Sequence, residues 1–237
     1  MKYNFNSTLN VLFLSCENCN YSFIYIYFAI IAKGGRHMET LKVPVGISNR
    51  HIHLSQEHIE ALFGVGYSLT KMNDLSQPGR YAYEETVTLI GPKGTIPGVR
   101  ILGSARKASQ VELTRTDTHK IGINPPVRDS GNIAGSPGID IEGPKGLVRL
   151  NQGVIIATRH LHMSSEDAWK YSFKDGEYLC AIVPGPRGGI LEKIRVRVNP
   201  NYTLDLHVDT DEANAYGLVN GQQLDVYSTN DQFQAAR

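Results

Sequence analysis

The chain of 237 residues has few cysteines, almost no net charge and few stretches of helical period. Its three cysteines, Cys16, Cys19 and Cys180, are an odd number in a long chain. That argues against a disulfide framework and fits a reducing compartment. A formal net charge of +1 gives no basis for nucleic-acid binding or for a polybasic membrane patch. The apolar run at 21–32 is too short to span a bilayer comfortably. Long crossover helices are missing, so a parallel α/β sheet fits poorly. Glycine (23) and proline (11) are plentiful, and strands joined by tight turns should dominate. The length allows one large domain or two of about 100 residues each, with ordinary aliphatic content to fill a core.

Residues 1–37 differ from the rest, being rich in Asn, Tyr, Phe and Ile. Lys2 ahead of an apolar stretch suggests a signal peptide, but Glu17 and several asparagines break that pattern and no Ala-x-Ala site follows. Cys16-Glu17-Asn18-Cys19 has metal or redox spacing, yet no second cysteine pair supports it. Lys33-Gly34-Gly35 back-translates to a ribosome-binding sequence just ahead of Met38. The expectation is therefore that Met38 is the true start and that residues 1–37 are intergenic sequence read as codons.

Two stretches that match each other stand out. Ser48-Asn49-Arg50-His51-Ile52-His53-Leu54-Ser55 and Ala157-Thr158-Arg159-His160-Leu161-His162-Met163-Ser164 both read Arg-His-apolar-His-apolar-Ser, 109 positions apart (160 − 51). Each is followed by an acid, Glu57 or Glu166. Alternate side chains of a strand share a face, so each pair of imidazoles projects together, and paired neutral imidazoles suit a metal. One His-x-His alone reads as surface decoration; two copies in one local context, among only eight histidines, do not.

Leu41 to Ile47 reads as a strand leading into the first pair, as Val154-Ile155-Ile156 leads into the second. Ser55 should cap a helix from Gln56 to Phe63 that ends at Gly64, and Ser164 a helix from Ser165 to about Tyr171. Polar residues 68–80 read as a loop or small excursion. Gly91-Pro92-Lys93-Gly94, Gly143-Pro144-Lys145-Gly146 and Gly185-Pro186-Arg187-Gly188 are turn sequences between alternating strands. Gln110 to Thr114 alternates, with Val111 and Leu113 inward. Residues 124–138 read as a loop. Asp209 to Glu212 opens a helix closed at Gly217, and the tail from Thr229 is polar. The fold class is mostly β: two β-barrel domains related by duplication, with short capping helices.

Candidate metal ligands are His51, His53, Glu112, His160, His162 and His207. Six are too many for one zinc and suit two ions, one under-coordinated. Asp205 and Asp209 flank His207 on its strand face and can orient it. His58, in a helix, and His119, in a Thr/Asp-rich stretch, read as non-ligands. Arg106, in Gly103-Ser104-Ala105-Arg106-Lys107, follows a strand end among small residues, where a guanidinium fork can grip phosphate or carboxylate.

Several segments resemble the phosphate propanoyltransferase (phosphotransacylase) family of the PduL type. They are Val43 to Ser55, Leu89-Ile90-Gly91-Pro92-Lys93-Gly94, Gln110-Val111-Glu112, Ser130-Gly131-Asn132, Arg159 to Ser164, and His207-Val208-Asp209-Thr210-Asp211-Glu212-Ala213-Asn214. The resemblance covers about residues 41–228 in order. It implies interconversion of acyl-CoA plus phosphate with acyl phosphate plus coenzyme A, propanoyl being the usual acyl group. It implies two β-barrels, one of 41–50 with 158–229 and one of 51–157 with a small excursion near 65–84, and a two-zinc site. His51 and His53 would hold one zinc. Glu112, His160, His162 and His207 would lie on or close to the second, Glu112 leaning towards the first being the alternative. Arg106 and Glu112 are the catalytic candidates, Arg106 as the phosphate ligand. Ile47, Ser48, Asn49 and Asn214 are candidates for the coenzyme A path.

The residues agree with that chemistry. An open zinc position can hold the coenzyme A thiol as thiolate. No Ser–His–acid or Cys–His pairing stands out as a nucleophile, and Cys180 sits in an apolar strand. Between Met38 and the first strand there is no room for the amphipathic extension that directs many family members into a bacterial microcompartment, so a cytoplasmic enzyme is expected, with the microcompartment lumen as the alternative. Nucleic acid and membrane are not expected partners, and homo-oligomerisation is left open. The competing readings are a zinc hydrolase using metal-activated water and a non-catalytic, zinc-stabilised ligand-binding protein.

Overall fold

The computed structural model describes residues 41–228. The expectations for residues 1–37, including Met38 as the start and the Cys16/Cys19 pair, and for the tail from Thr229 lie outside the described residues. Fifteen strands and four short helices follow in order. They are β1 (Leu41–Ser48), β2 (His51–His53), α1 (Gln56–Phe63), β3 (Lys71–Asp74), β4 (Tyr81–Ile90), β5 (Thr95–Leu102), β6 (Gln110–Glu112), α2 (Arg115–Ile121), β7 (Val127–Arg128), β8 (Ile139–Glu142) and β9 (Leu147–Leu150). After these come β10 (Val154–Ala157), β11 (His160–Met163), α3 (Ser165–Lys170), β12 (Tyr178–Val183), β13 (Gly189–Val198), β14 (Asp205–Asp209), α4 (Thr210–Tyr216) and β15 (Gln223–Ser228). No helix among the described residues is long and apolar enough to cross a membrane.

The strands form two sheets. One is a closed barrel in the order β1-β14-β11-β13-β12-β15. The other is a nine-stranded sheet in the order β7-β10-β6-β2-β5-β4-β8-β9, with β3 paired to β4. It curls around its own core, in which Ile52, Leu89, Ile101, Val111 and Ile141 meet Leu62 of α1 and Ile121 of α2. The barrel core gathers Val43, Leu161, Leu179, Val196, Leu206 and Val226. Alternation sends these apolar residues inward, and each sheet buries one cluster.

The two halves repeat one plan, and each lends its first strand to the other. β1 leads into the histidine strand β2 but pairs with β14 and β15 of the barrel. β10 leads into the histidine strand β11 but pairs with β6 and β7 of the open sheet. The chain therefore crosses between sheets just before each His-x-His. Each histidine strand then lies between one parallel and one antiparallel neighbour: β5 and β6 for β2, β13 and β14 for β11.

The repeat continues beyond those strands. Two residues beyond β6, Thr114 caps α2 through a reciprocal box with Asp117, and α2 closes at Gly122. β14 ends in Asp209, which caps α4 through a reciprocal box with Glu212, and α4 closes at Gly217. Both closing glycines are left-handed, the conformation that ends a helix most cheaply with no Cβ. The helix α2 was not expected from the Thr/Asp-rich stretch, although Thr114 and Asp117 carry the capping signature. The excursion at 65–84 holds the fully exposed strand β3.

Two of the three turns have a packing role. In the first, the Lys93 amide donates to the Ile121 carbonyl at the end of α2 (3.1 Å). In the second, the Lys145 amide donates to the Leu62 carbonyl at the end of α1 (3.0 Å). The turns thus supply partners to carbonyls that a helix end leaves open. A Cβ on Gly91 would stand 2.4 Å from the Ile121 carbonyl oxygen, and one on Gly143 2.7 Å from that of Leu62. Gly91→Ala and Gly143→Ala should each destabilise the protein by about 1–3 kcal/mol. Gly189→Ala, whose Cβ meets only Tyr216 at 3.5 Å, should stay within about 0.5 kcal/mol. Urea unfolding of the three variants checks the ranking.

Candidate metal centre

Each His-x-His is held by the same device. His51 Nδ1 lies 2.8 Å from the Asn49 carbonyl oxygen, and His160 Nδ1 lies 2.8 Å from that of Thr158, two residues back in both cases. A carbonyl only accepts, so Nδ1 carries the proton and Nε2 presents a lone pair. His53 is fixed in the same sense by the Leu102 carbonyl at 2.9 Å. The arginine before each pair bonds the capping acid of the helix that follows the antiparallel partner strand: Arg50 to Asp117 of α2 at 2.8 Å, Arg159 to Glu212 of α4 at 2.7 Å.

The strand register decides which third group joins each pair. Glu112 lies opposite His51 in the β2–β6 pairing, and His207 opposite His160 in the β11–β14 pairing. His51, His53 and Glu112 form one group whose ligand atoms lie within 4.8 Å of one another, and His160, His162 and His207 form another. Glu112 therefore goes with the first pair rather than the second, because β6 runs beside β2. Its oxygens stand 3.4 Å from His51 Nε2 and 3.8 Å from His53 Nε2. His207 Nε2 is held by Asp205 Oδ2 at 2.8 Å, which leaves Nδ1 for the imidazole cluster. Its ring centroid is 5.2 Å from that of His160 and 4.7 Å from that of His162.

All of these side chains except His207 are buried. Burial, with the charges of His51 and Arg106, lowers the His53 pKa to about 3. Burial and His207 lower His160 to about 4, and burial and His160 lower His162 to about 2. Burial pulls His51 down, but the Glu112 carboxylate outweighs it and the net direction is up. Burial opposes ionisation of Glu112, yet the two imidazoles and the Ser130 hydroxyl hold it well below the usual carboxylate range. His53, His160 and His162 thus present neutral imidazole lone pairs at neutral pH, and Glu112 presents an anionic carboxylate beside His51 and His53.

These donors fit a metal. His162 Nδ1 is a buried polar atom with no hydrogen-bond partner among the described residues. Such an atom costs about 1–3 kcal/mol unless something binds it. The Nε2 lone pairs of His51 and His53 face a carboxylate that cannot donate to them, and a cation resolves that arrangement.

Both groups open on one cavity of about 1280 Å³ at the junction of the sheets. Ile47, Ser48 and Asn49 line it, as does Arg106. Asn214 stands exposed on α4 and is not among its lining residues; Asn220 is, and its Oδ1 accepts from the Ile47 amide at 3.0 Å. His58 bonds Ser109 Oγ at 2.7 Å and belongs to neither group. Arg106 donates to Ser130 Oγ at 3.2 Å, and Ser130 in turn donates to Glu112 Oε1 at 2.8 Å. Gln110 Nε2 reaches both Glu112 Oε1 at 2.6 Å and Ser130 Oγ at 2.9 Å. Burial lowers Arg106 to about 10, with Glu112 opposing and the charges of Arg80 and Arg197 adding to the fall, so it stays cationic at neutral pH. Gln110 and Ser130 were not singled out from sequence; the signal available was their place in the family-like segments.

Comparison with known proteins places this architecture. Residues 44–219 match the family described as phosphate propanoyltransferase. A phosphate propanoyltransferase of Thermotoga maritima is 53% identical over 178 residues, covering 75% of this chain and 85% of that protein. One from Rhodobacter capsulatus is 49% identical, covering 75% and 83%. One from Salmonella typhimurium is 46% identical over 184 residues, covering 77% and 87%. The chain belongs to the phosphate propanoyltransferase family and is an acyltransferase of that type.

Proposed function

We propose that the cavity catalyses acyl-CoA + phosphate ⇌ acyl phosphate + coenzyme A, with propanoyl as the favoured acyl group and two zinc ions as cofactors. The observation that carries this reading is the convergence of two three-donor groups and a half-buried arginine on one cavity. His51, His53 and Glu112 would hold one ion and His160, His162 and His207 the other. Metal bound there supplies Lewis acidity towards the acyl carbonyl and towards the thiol. Arg106 binds phosphate through its guanidinium fork and is itself steadied by Ser130. A phosphate oxygen forms the new C–O bond at the thioester carbon, the C–S bond breaks, and the electron pair leaves on sulfur. Ile47, Ser48 and Asn49 line the coenzyme path, with Asn220 fixing the Ile47 backbone. The cavity walls shield the acyl carbon from competing water. We place the enzyme in the cytoplasm, with a microcompartment lumen as the alternative, and assign residues 41–50 with 158–229 and residues 51–157 as its two domains.

Purified protein should form propanoyl phosphate from propanoyl-CoA only when phosphate is supplied, and a chelator should abolish turnover. Phosphate-independent thioester hydrolysis would favour the hydrolase instead, and no turnover the ligand-binding protein. Arg106→Ala should cut kcat/KM for phosphate about 100-fold or more while zinc content stays unchanged. His162→Phe separates the metal from the fold. It removes the unpartnered nitrogen, so the chelated variant should melt no lower than chelated wild type. Wild type should gain thermal stability on zinc addition, and the variant should lose most of that gain.

A further inference from the structure

The excursion between α1 and β4 is pinned to the barrel. Gln77, in the turn after β3, is buried. Its Nε2 donates to the Thr203 carbonyl at 2.9 Å and its Oε1 accepts from the Thr203 amide at 3.1 Å. This pair of hydrogen bonds to one residue of the β13–β14 loop fixes the turn, which ends at Arg80. The Arg80 amide donates to the Gln77 carbonyl at 3.1 Å, and its carbonyl accepts from Leu75 at 2.9 Å. The side chain then enters the cavity. A Cβ at Gly103 would stand 3.3 Å from His53 Nδ1 and 3.6 Å from Arg80 Nη1, so the guanidinium shares a small space with the first histidine pair.

Arg197 reaches the same region from the barrel. It lies beside His162 in the parallel β11–β13 register. The repeat is broken here, because the matching neighbour of His53 at the end of β5 is the apolar Leu102. The other cavity arginines have partners. Arg50 bonds Asp117, Arg159 bonds Glu212, and Arg100 donates to the Tyr83 and Glu84 carbonyls. Among the described residues, the Arg80 and Arg197 guanidiniums have neither ion pair nor hydrogen bond. Both charges act on Arg106 and on His162. Three like charges with Glu112 as the carboxylate acting on Arg106 still repel one another, and an anion between them removes that cost.

We propose that Arg80 and Arg197 complete, with Arg106, a three-guanidinium pocket for the phosphoryl group of phosphate and acyl phosphate. The identity of the occupant rests on the transferase reading. Coenzyme A also carries phosphates, but they lie a pantetheine arm away from its sulfur, whereas Arg80 stands near His53 and Arg197 beside His162. The pocket draws Arg80 from one sheet and Arg197 from the other, so phosphate recognition requires both halves.

Arg80→Gln and Arg197→Gln in the full chain test this. Inorganic phosphate is titrated calorimetrically, and KM values for phosphate and propanoyl-CoA are measured separately. Each variant should weaken phosphate binding and raise its KM by about tenfold or more, with the propanoyl-CoA KM within twofold. The ligand-free variants should melt no lower than wild type, since no bond is lost, and phosphate should raise their melting temperature less. Arg80→Lys and Arg197→Lys should restore binding only in part, because the charge returns without the fork. Unchanged phosphate affinity overturns the pocket, as does a rise confined to the propanoyl-CoA KM, which would assign the arginines to the coenzyme phosphates. If wild type binds phosphate through these arginines but transfers no acyl group, the pocket stands and the transferase reading falls.

Discussion

The register of two short antiparallel pairings, β2 with β6 and β11 with β14, is the constraint on which the site depends. It sets Glu112 opposite His51 and His207 opposite His160. A slip of one residue would turn every side chain of the strand to the other face, burying donors in the core and exposing Ile52 or Leu161. Those two residues are fully buried, one in each core cluster, and their burial locks the register. At about 25 cal/mol per Å² of apolar surface, a fully buried leucine or isoleucine is worth about 1.5–3 kcal/mol, enough to dominate a three- or four-residue strand. The packing of each core and the aim of each imidazole pair are thus one fact.

Exchange of the first strands brings the two groups together. Because β1 belongs to the barrel and β10 to the open sheet, the chain passes between the sheets immediately before each His-x-His. The imidazoles emerge at the junction, on the cavity. The same crossing places Arg50 and Arg159 where they bind the N-terminal acids of α2 and α4. Each helix start, capped and ion-paired, braces the strand that carries the third donor.

Much of this was legible in the sequence, for stated reasons. The His-x-His copies, the caps Ser55 and Ser164 and the three glycine-proline turns are local signals, and each sits where expected. The duplication around Glu112 and His207 was not legible, because the matched segments, Gln110-Val111-Glu112 and Asp205-Leu206-His207, share pattern but not residue type. The side on which Glu112 lies was open for a related reason: it depends on which strands pair, a long-range fact. Asn214 was a candidate by resemblance, but α4 turns it outward, and Asn220 in the following loop reaches the cavity instead. What distinguishes Arg80 and Arg197 is the absence of a side-chain partner among the described residues, which a sequence does not record.

The account stands or falls on where metal binds. Anomalous diffraction at the zinc edge, from crystals of the metal-loaded full chain, tests it most directly. The account predicts two peaks, one about 2.0–2.2 Å from His51, His53 and Glu112 and one at that distance from His160, His162 and His207, both facing the shared cavity. Peaks confined to other residues, or an empty centre in a protein that still transfers propanoyl groups to phosphate, would contradict it.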